Sequence, residues 1–430
     1  MPSPSTTGPS TTGPSPAGLS TVRRVLTRAA VMRLIIGWAA VGALALAGPL
    51  LTPPVPGPLL IGALAAIIAV ILLCAFGVVH EAEALAHRLG DPYGTLILTL
   101  SIVTIEVVLI AAVMLGPGDH TTIARDSVMA VSMIILNLVV GVCLLVGGLR
   151  HGALRANRTG ALAYTTLLVG LSATAFALPA MIGADGAYTP AQAVPVIAMT
   201  LGLYGFFLWR QMGAQAADFQ EVTGPAGEEA AHRAAIVGSA SEPAAASKST
   251  AASASATASQ SDTTPDADHS PSIREIIAEH RPEVLARTAL LVATVLPIVL
   301  LSHDMATLLD DGLGRVGAPI ALAGVLIAMI VFTPESITAV RAALGGEMQR
   351  VVNLCHGALV STVGLTIPTV LVIGLLTEQH VVFAETPANL LLLGTTLALT
   401  AVTAASPRVT AMHGAAHLML FALYALALFS

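Results

Sequence analysis

Residues 94–115 read GTLILTLSIVTIEVVLIAAVML, a run of twenty-two residues in which Glu106 is the only charged side chain. Residues 318–341 read APIALAGVLIAMIVFTPESITAVR, and the one carboxylate in this run is Glu335. About 20 apolar residues in a helix cross the hydrocarbon core of a bilayer, and a charge at its centre costs roughly 2.5 kcal/mol or more. Both runs are therefore predicted to be transmembrane helices, each with a functional acid.

The composition of the whole chain agrees with this interpretation. The 430 residues are 55% hydrophobic and only 10% charged, with a mean hydropathy of +0.83. Soluble proteins carry roughly 25% charged residues, so too few charges are present here to cover a water-facing surface. A polytopic all-α membrane protein surrounded by lipid is predicted. The net charge of −6 provides no basic surface, which argues against nucleic acid as a partner.

Apolar runs predict about eleven transmembrane helices and divide the chain into five segments. The helices are predicted near 34–51, 58–79, 94–115, 127–148, 160–183, 190–209, 284–301, 318–341, 353–376, 388–405 and 411–429. The segments are a disordered cytoplasmic tail (1–33), an extra N-terminal transmembrane helix and its loop (34–57), a first repeat (58–209), a low-complexity cytoplasmic linker (210–283) and a second repeat (284–430).

Each repeat contains five predicted helices, so the two repeats enter the membrane from opposite sides. Glu106 and Glu335 lie in the second helix of their repeats, and each follows a threonine, Thr104 or Thr333, by two positions. Pro334 predicts an interruption in the eighth helix, since proline removes a helical hydrogen bond. Two inverted repeats with polar groups on broken helices are typical of secondary transporters.

The distribution of cations predicts the orientation. With a cytoplasmic N-terminus, seventeen of the nineteen Lys and Arg residues lie in cytoplasmic segments, and only Arg125 and Arg315 lie outside. Cytoplasmic loops are enriched in these residues. The N-terminus is therefore predicted to be cytoplasmic and the C-terminus to be outside.

Two buried carboxylates predict a site that holds either protons or a cation. A low-dielectric site favours the protonated carboxyl group, whereas an adjacent cation favours the carboxylate. Protons and the cation then compete for the same oxygens, which is the requirement for cation:proton exchange. The hydroxyls of Thr104 and Thr333 and freed backbone carbonyls would complete an oxygen shell, which suits Ca²⁺, Na⁺ or K⁺ better than soft metals.

Two stretches resemble the bacterial calcium:proton antiporter family of the cation/calcium exchanger superfamily. They are AHRLGDPYGTLILTLSIVTIE at 86–106, and PESITAVRAAL at 334–344 with GLTIP at 364–368. The similarity extends over roughly 60–210 and 284–430.

This resemblance implies that Glu106 and Glu335 bind the transported cation. It also implies that a polar residue on the following helix of each repeat assists, which by position would be Asn137 and Ser361. The superfamily has a Gly-Asn pair shortly before each acid, where this chain has Ile102-Val103 and Val331-Phe332. That departure removes ligands and leaves the choice among Ca²⁺, Na⁺ and K⁺ open.

Accessory residues are predicted at the cytoplasmic mouth of the first repeat. His80, Glu81, Glu83 and His87 form a charged cluster that could gather cations or respond to pH, although a solvated turn is the alternative.

Three further histidines lie within apolar runs. His356 could assist proton movement, and His413 and His417 share a helix face at a spacing of four. Two histidines from one helix fall short of a transition-metal site, so helix packing or a hydrated cavity is the preferred interpretation.

The sequence thus predicts a secondary transporter, rather than an enzyme, in the bacterial inner membrane. The specific hypothesis is Ca²⁺ efflux coupled to proton entry by alternating access at Glu106 and Glu335. No cofactor is expected beyond the transported cation and protons, because no phosphate-binding loop is present. The alternatives are Na⁺ or K⁺:proton exchange at the same site, an ion channel, and an intramembrane hydrolase.

Overall fold

A computed structural model of the protein describes residues 25–89, 93–114, 121–220, 280–319 and 321–429. The long elements in these ranges are all helices. They are α1 (Arg28–Ala47), α2 (Gly57–Leu89), α3 (Tyr93–Met114), α4 (Ile123–His151), α5 (Arg158–Ile182), α6 (Pro190–Met212), α7 (Arg281–Val316), α8 (Ala321–Gly345), α9 (Met348–Thr377), α10 (Pro387–Ala405) and α11 (Ala411–Leu428). Two helices contain a π-helical segment, Ile134–Val139 in α4 and Ala173–Ala177 in α5.

The helices have the length and composition of membrane spans. All but α3 meet both criteria within the described residues, and α3 is itself a 22-residue apolar helix. Large apolar side chains such as Leu46, Trp209 and Leu426 point outward from the bundle, as they do toward lipid. The predicted all-α polytopic membrane fold is confirmed, while the number of helices that cross the membrane stays a prediction.

Several helices extend beyond their predicted apolar runs. α1 begins at Arg28, inside the predicted tail, where the Thr27 hydroxyl accepts a hydrogen bond from the Ala30 amide. α2 continues to Leu89 and includes the predicted charged turn, and α7 continues to Val316. Charged residues mark the end of an apolar run in the sequence. They do not end the helix where these residues have hydrogen-bond or ion-pair partners.

The first residues of the predicted linker also belong to the bundle. A 3₁₀ turn at Ala216–Phe219 follows α6, and Phe219 packs edge-on against Tyr164 at a ring-centroid distance of 5.1 Å. The Asn353 side chain donates to the Phe219 carbonyl at 2.6 Å. The rest of the linker, 221–279, and residues 1–24 of the tail lie outside the described residues.

α4 lies at the centre of the bundle and α1 at its edge. In the most apolar 18-residue stretch of each helix, 83% of the residues of α4 are buried, but only 11% of those of α1 are. α1 packs against α2 and α7, the first helices of the two predicted repeats, which also pack against each other. Five helices thus precede the undescribed linker and five follow it, after α1. Their inverted relation stays a prediction.

Loop contacts define the two ends of the bundle. At the His151 end, the Leu154 amide donates to the Val409 carbonyl at 2.8 Å. At the opposite, Glu385 end, the Val382 amide donates to the Thr121 carbonyl at 2.9 Å. The cation distribution predicts that the His151 end is cytoplasmic.

Candidate functional site

Glu106 and Glu335 are both buried inside the bundle, on α3 and α8. Their exposed fractions are 3% and 7%, and their carboxyl groups lie close enough for their charges to interact. Neither forms an ion pair with a described residue. Glu106 Oε1 and both oxygens of Glu335 have no hydrogen-bond partner. Three of the four carboxyl oxygens are therefore available to a proton or a cation.

Among the described residues, the one hydrogen-bond donor to this pair lies on α9. The Thr362 hydroxyl donates to Glu106 Oε2 at 2.5 Å. Thr366 lies one turn further along α9, where its hydroxyl is buried and has no partner. Residues four apart share a helix face, so both hydroxyls lie on one side of α9. Neither threonine was predicted from the sequence.

Ser361, the predicted residue on this helix, has a different partner. The Tyr204 hydroxyl donates to the Ser361 hydroxyl at 3.0 Å. A shift of one residue turns a side chain by about 100° around a helix, because 3.6 residues make one turn. Ser361 therefore faces α6, while its neighbour Thr362 faces α3.

The structure does not bring Thr104 and Thr333 to the carboxyl groups. Each hydroxyl donates within its own helix, Thr104 to the Leu100 carbonyl at 2.7 Å and Thr333 to the Met329 carbonyl at 2.6 Å. Residues two apart on a helix face different directions, so the side chains of each Thr-x-Glu sequence diverge.

α8 continues through Pro334 without the predicted interruption. Proline still cannot donate to the carbonyl one turn earlier, so that carbonyl lacks its usual helical partner. The irregular segments are instead the two π-helical segments, and π segments are frequent at functional sites.

Asn137 lies in the π segment of α4 and belongs to a second polar cluster. Its Nδ2 donates to the Thr396 hydroxyl at 2.8 Å, and its Oδ1 lies 3.2 Å from His417 Nδ1. Asn137 was predicted to assist the cation site, but its side chain bonds to these residues and not to the carboxyl groups. α11 packs closely on α4, and this packing brings His417 to Asn137. The close approach needs glycine at position 148, because a side chain there would collide with the backbone of Ala411.

The two histidines at a spacing of four on α11 have separate partners. His413 caps its own helix by accepting from the Thr410 amide at 3.2 Å. Within the described ranges, no group of three or more His, Cys, Asp or Glu side chains could hold a metal ion. His417 contacts residues of α4 and α10, and it also lines a small cavity between these helices.

The predicted accessory cluster lies on helix α2 instead of in a turn, and its Glu81 forms an ion pair. Glu81 on α2 is 4% exposed and bonds to Arg287 on α7 at 2.7 Å. Arg287 also bonds to Glu283 at 3.1 Å. His80 is exposed and Glu83 is partly exposed. The side chain of His87 lies outside the described residues. Glu81 is thus engaged in joining α2 to α7.

His356 lies on α9, toward the His151 end from Thr362. It is 5% exposed and its Nδ1 has no hydrogen-bond partner. The ring of Tyr164 on α5 is its aromatic neighbour, at a centroid distance of 6.3 Å.

Comparison with known proteins places these helices in a group of membrane transporters. The family profile described as sodium/calcium exchanger protein matches residues 59–213 and 287–430. An ionic transporter from Sinorhizobium fredii, y4hA, is 31% identical over 82% of this chain and 84% of its own length. The Escherichia coli sodium-potassium/proton antiporter ChaA is 29% identical over 84% of this chain and 87% of its own.

Solved structures show the same fold at lower identity. Native YfkE superposes with a TM-score of 0.59 and 15% identity, covering 92% of this chain and 99% of its own. The H⁺/Ca²⁺ exchanger CAX gives a TM-score of 0.53 and 11% identity, covering 92% of this chain and 88% of its own.

Proposed function

Because this chain belongs to the sodium/calcium exchanger protein family, we propose that it is an antiporter that exports Ca²⁺ in exchange for protons by alternating access. The observation that carries the proposal is the pair of buried carboxyl groups, Glu106 and Glu335, with three unpartnered oxygens. Unpartnered buried oxygens are costly, so a site that holds them needs a ligand for part of its cycle.

The charge of the site favours a divalent ion. Two carboxylates without a cationic side chain, among the described residues, carry two negative charges that one Ca²⁺ or two protons neutralise. The hydroxyls of Thr362 and Thr366 add neutral oxygens on one face of α9. Ca²⁺ takes six to eight oxygen ligands, so backbone carbonyls and water would complete its shell.

The test is cation-induced proton movement in vesicles that contain the purified protein and a pH-sensitive dye. Addition of Ca²⁺ is expected to release protons, and Glu106→Gln and Glu335→Gln are each expected to abolish the response. Glutamine keeps the shape of the side chain but cannot become an anion.

Glu347→Gln is the matched control, because Glu347 is about half exposed near the start of α9 and pairs with Arg350. This variant is expected to keep the full response. A response that survives in both intramembrane variants would overturn the assignment of the site.

The second candidate is exchange of Na⁺ or K⁺ for protons at the same carboxyl groups. It is favoured by ChaA, named as a sodium-potassium/proton antiporter, which is closer in sequence than YfkE or CAX. Addition of each cation separately distinguishes the candidates. A proton response to Na⁺ or K⁺ with none to Ca²⁺ would select this one.

We also propose that the protein lies in the bacterial inner membrane with the His151 end toward the cytoplasm. This orientation is supported by the excess of Lys and Arg in the segments that it places inside. In that orientation, the transported ion enters from the end where α4 joins α5 and leaves at the Glu385 end.

A further inference from the structure

A cavity lined by both apolar and polar side chains lies between α4, α5, α9, α10 and α11, toward the His151 end from the carboxyl pair. Its polar lining includes His356, His417, Thr400 and Thr403. The space open to the centres of water molecules is about 30 Å³. Roughly 10–15 Å³ of such space holds one water molecule, so there is room for about two.

Two residues that line this cavity each have a buried polar atom with no hydrogen-bond partner among the described residues. These atoms are His356 Nδ1 and Thr400 Oγ1, and both residues are at least nine-tenths buried. A cavity with room for water and unpartnered polar atoms in its lining residues is a site that water can occupy. Water there would be within reach of His356.

The ring of His417 is oriented so that its Nε2 faces the same region. Asn137 donates through Nδ2 to Thr396, so its Oδ1 is left as an acceptor for the Nδ1–H of His417. Nε2 of the neutral ring then accepts from the Thr403 hydroxyl, at 3.3 Å. Addition of a proton to Nε2 would turn this hydroxyl from a donor into an acceptor.

Threonines on α10 connect the Asn137 cluster to the cavity. Thr396, Thr400 and Thr403 recur at spacings of four and three, which places them on one helix face, and all three are buried. A buried row of hydroxyls on a membrane helix can donate and accept in sequence. It runs from Asn137 toward the His151 end.

The cavity lies near the carboxyl site when the distance is measured along the axis of α9. His356 precedes Thr362, the donor to Glu106, by six residues of α9, which is a rise of about 9 Å. The other titratable groups around the two rings are Tyr164 of α5 and His413 of α11. No carboxylate lines the cavity among the described residues.

We propose that His356 and His417, with water in this cavity, form a proton-carrying site between the carboxyl pair and the His151 end, separate from the path of the cation. The inference rests on the proposed antiport. An imidazole can accept a proton at one ring nitrogen and release one from the other. Once protonated it repels cations, and the surrounding lining is hydroxyl and apolar, so the site passes protons and excludes the metal ion.

The test separates proton-coupled transport from cation movement alone. In vesicles with the purified protein, exchange of radioactive Ca²⁺ for unlabelled Ca²⁺ at equal pH requires no net proton transfer, whereas Ca²⁺:proton exchange does. His356→Gln and His417→Gln are expected to slow Ca²⁺:proton exchange about tenfold or more, as loss of a positioned proton-transfer group does. Ca²⁺ self-exchange is expected to stay near the rate of the unsubstituted protein.

The control is His303→Gln, since His303 is exposed on α7. It should leave both rates unchanged. Thr400→Val keeps both rings and removes a cavity hydroxyl, so it should show a smaller loss of the same kind, and it carries the test if the histidine variants do not fold.

Equal loss of both rates in the folded variants would identify the histidines as packing residues and overturn the inference. Unchanged rates in all three variants would overturn it as well. An unsubstituted protein that exchanges Na⁺ or K⁺ for protons is assayed with that ion instead. A protein without any cation exchange would overturn the proposed function first, and this inference with it.

Discussion

Glu106 and Glu335 have the same chemistry but different surroundings. Glu106 accepts a hydrogen bond from Thr362, whereas Glu335 has no hydrogen-bond partner. A donor stabilises the carboxylate more than the protonated group. The carboxylate form of Glu106 is therefore stabilised by the protein, whereas the carboxylate form of Glu335 depends on a bound cation.

Thr362→Val should weaken cation binding and leave the fold intact, because valine has nearly the same shape. A hydrogen bond to a charged group is worth about 1.5–3 kcal/mol, so the half-saturating cation concentration should rise about tenfold to a hundredfold. The rise should be greatest at low pH, where protons compete best. Transport measured against cation concentration at two pH values checks this.

Ser361→Ala is the neighbouring control, since that hydroxyl contacts Tyr204 and not Glu106. If it weakens cation binding as much as Thr362→Val does, the hydrogen bond to Glu106 is not the cause.

Sequence alone identified the two acids but not the hydroxyls beside them. An isolated carboxylate in an apolar run is conspicuous because its cost demands a role. Ser361 and Thr362 are both buried on α9, a helix that is buried on most of its faces. Without a polar side, the helix period gives no direction, so only the three-dimensional packing shows which hydroxyl meets Glu106.

At the scale of elements, apolar runs located the long helices of the described residues but underestimated the lengths of several, most of all α2 and α7. The predicted ends of α2 and α7 fall where charged residues begin. These charges do not terminate the helices, because Glu81 bonds to Arg287 across the α2–α7 contact and Asp311 bonds to Arg315 within α7. A pairing between helices more than 200 residues apart has no signature in either local sequence.

Arg287→Met should destabilise the α2–α7 contact, since it removes the guanidinium to which the buried Glu81 bonds. Breaking a buried pair costs about 3–5 kcal/mol, and the partial exposure of Arg287 places the effect at or below the lower bound. A lower Tm of the detergent-solubilised protein is the expected result.

Addition of Glu81→Gln to Arg287→Met should recover part of the lost Tm, because it removes the buried charge that has lost its bond to Arg287. Arg350→Met, at a half-exposed pair, should change Tm little. An equal loss at both arginines would contradict the assignment of a buried pair.

The connection between α9 and α10 joins elements of both repeats at the Glu385 end. Amides of Val382, Phe383 and Glu385 donate to the carbonyls of Thr121, Gly186 and Phe176, respectively. Burial raises the pKa of the Glu385 carboxyl group above its ordinary value of 4.5, against the opposing effects of the Asn389 hydrogen bond and the Arg125 charge.

Glu385→Gln should therefore change the pH dependence of stability. The folded protein binds this proton more tightly than the unfolded chain does, so the contribution is complete below pH 4.5 and is lost as the pH rises through the raised pKa. Glutamine stays neutral at every pH. The Tm of the variant, relative to that of the unsubstituted protein, should therefore rise as the pH increases above 4.5. A constant difference would contradict the raised pKa.

At the scale of the whole molecule, alternation of the helices predicts that the two termini lie on opposite sides of the membrane. Alkaline phosphatase fused after residue 430 should be active in cells, and green fluorescent protein fused there should be dark. Both outcomes follow from a C-terminus outside the cytoplasm. A fluorescent C-terminal fusion would contradict the predicted orientation or the helix count.

The absence of a cationic side chain beside Glu106 and Glu335, among the described residues, has an electrical consequence. An exchange of one Ca²⁺ for two protons leaves the site neutral in both halves of the cycle, so it moves no net charge. One Na⁺ or K⁺ against two protons would move one charge, which is worth about 2.3 kcal/mol per 100 mV. A rate of exchange that depends on membrane voltage would therefore contradict the exchange of one Ca²⁺ for two protons at this pair of carboxylates.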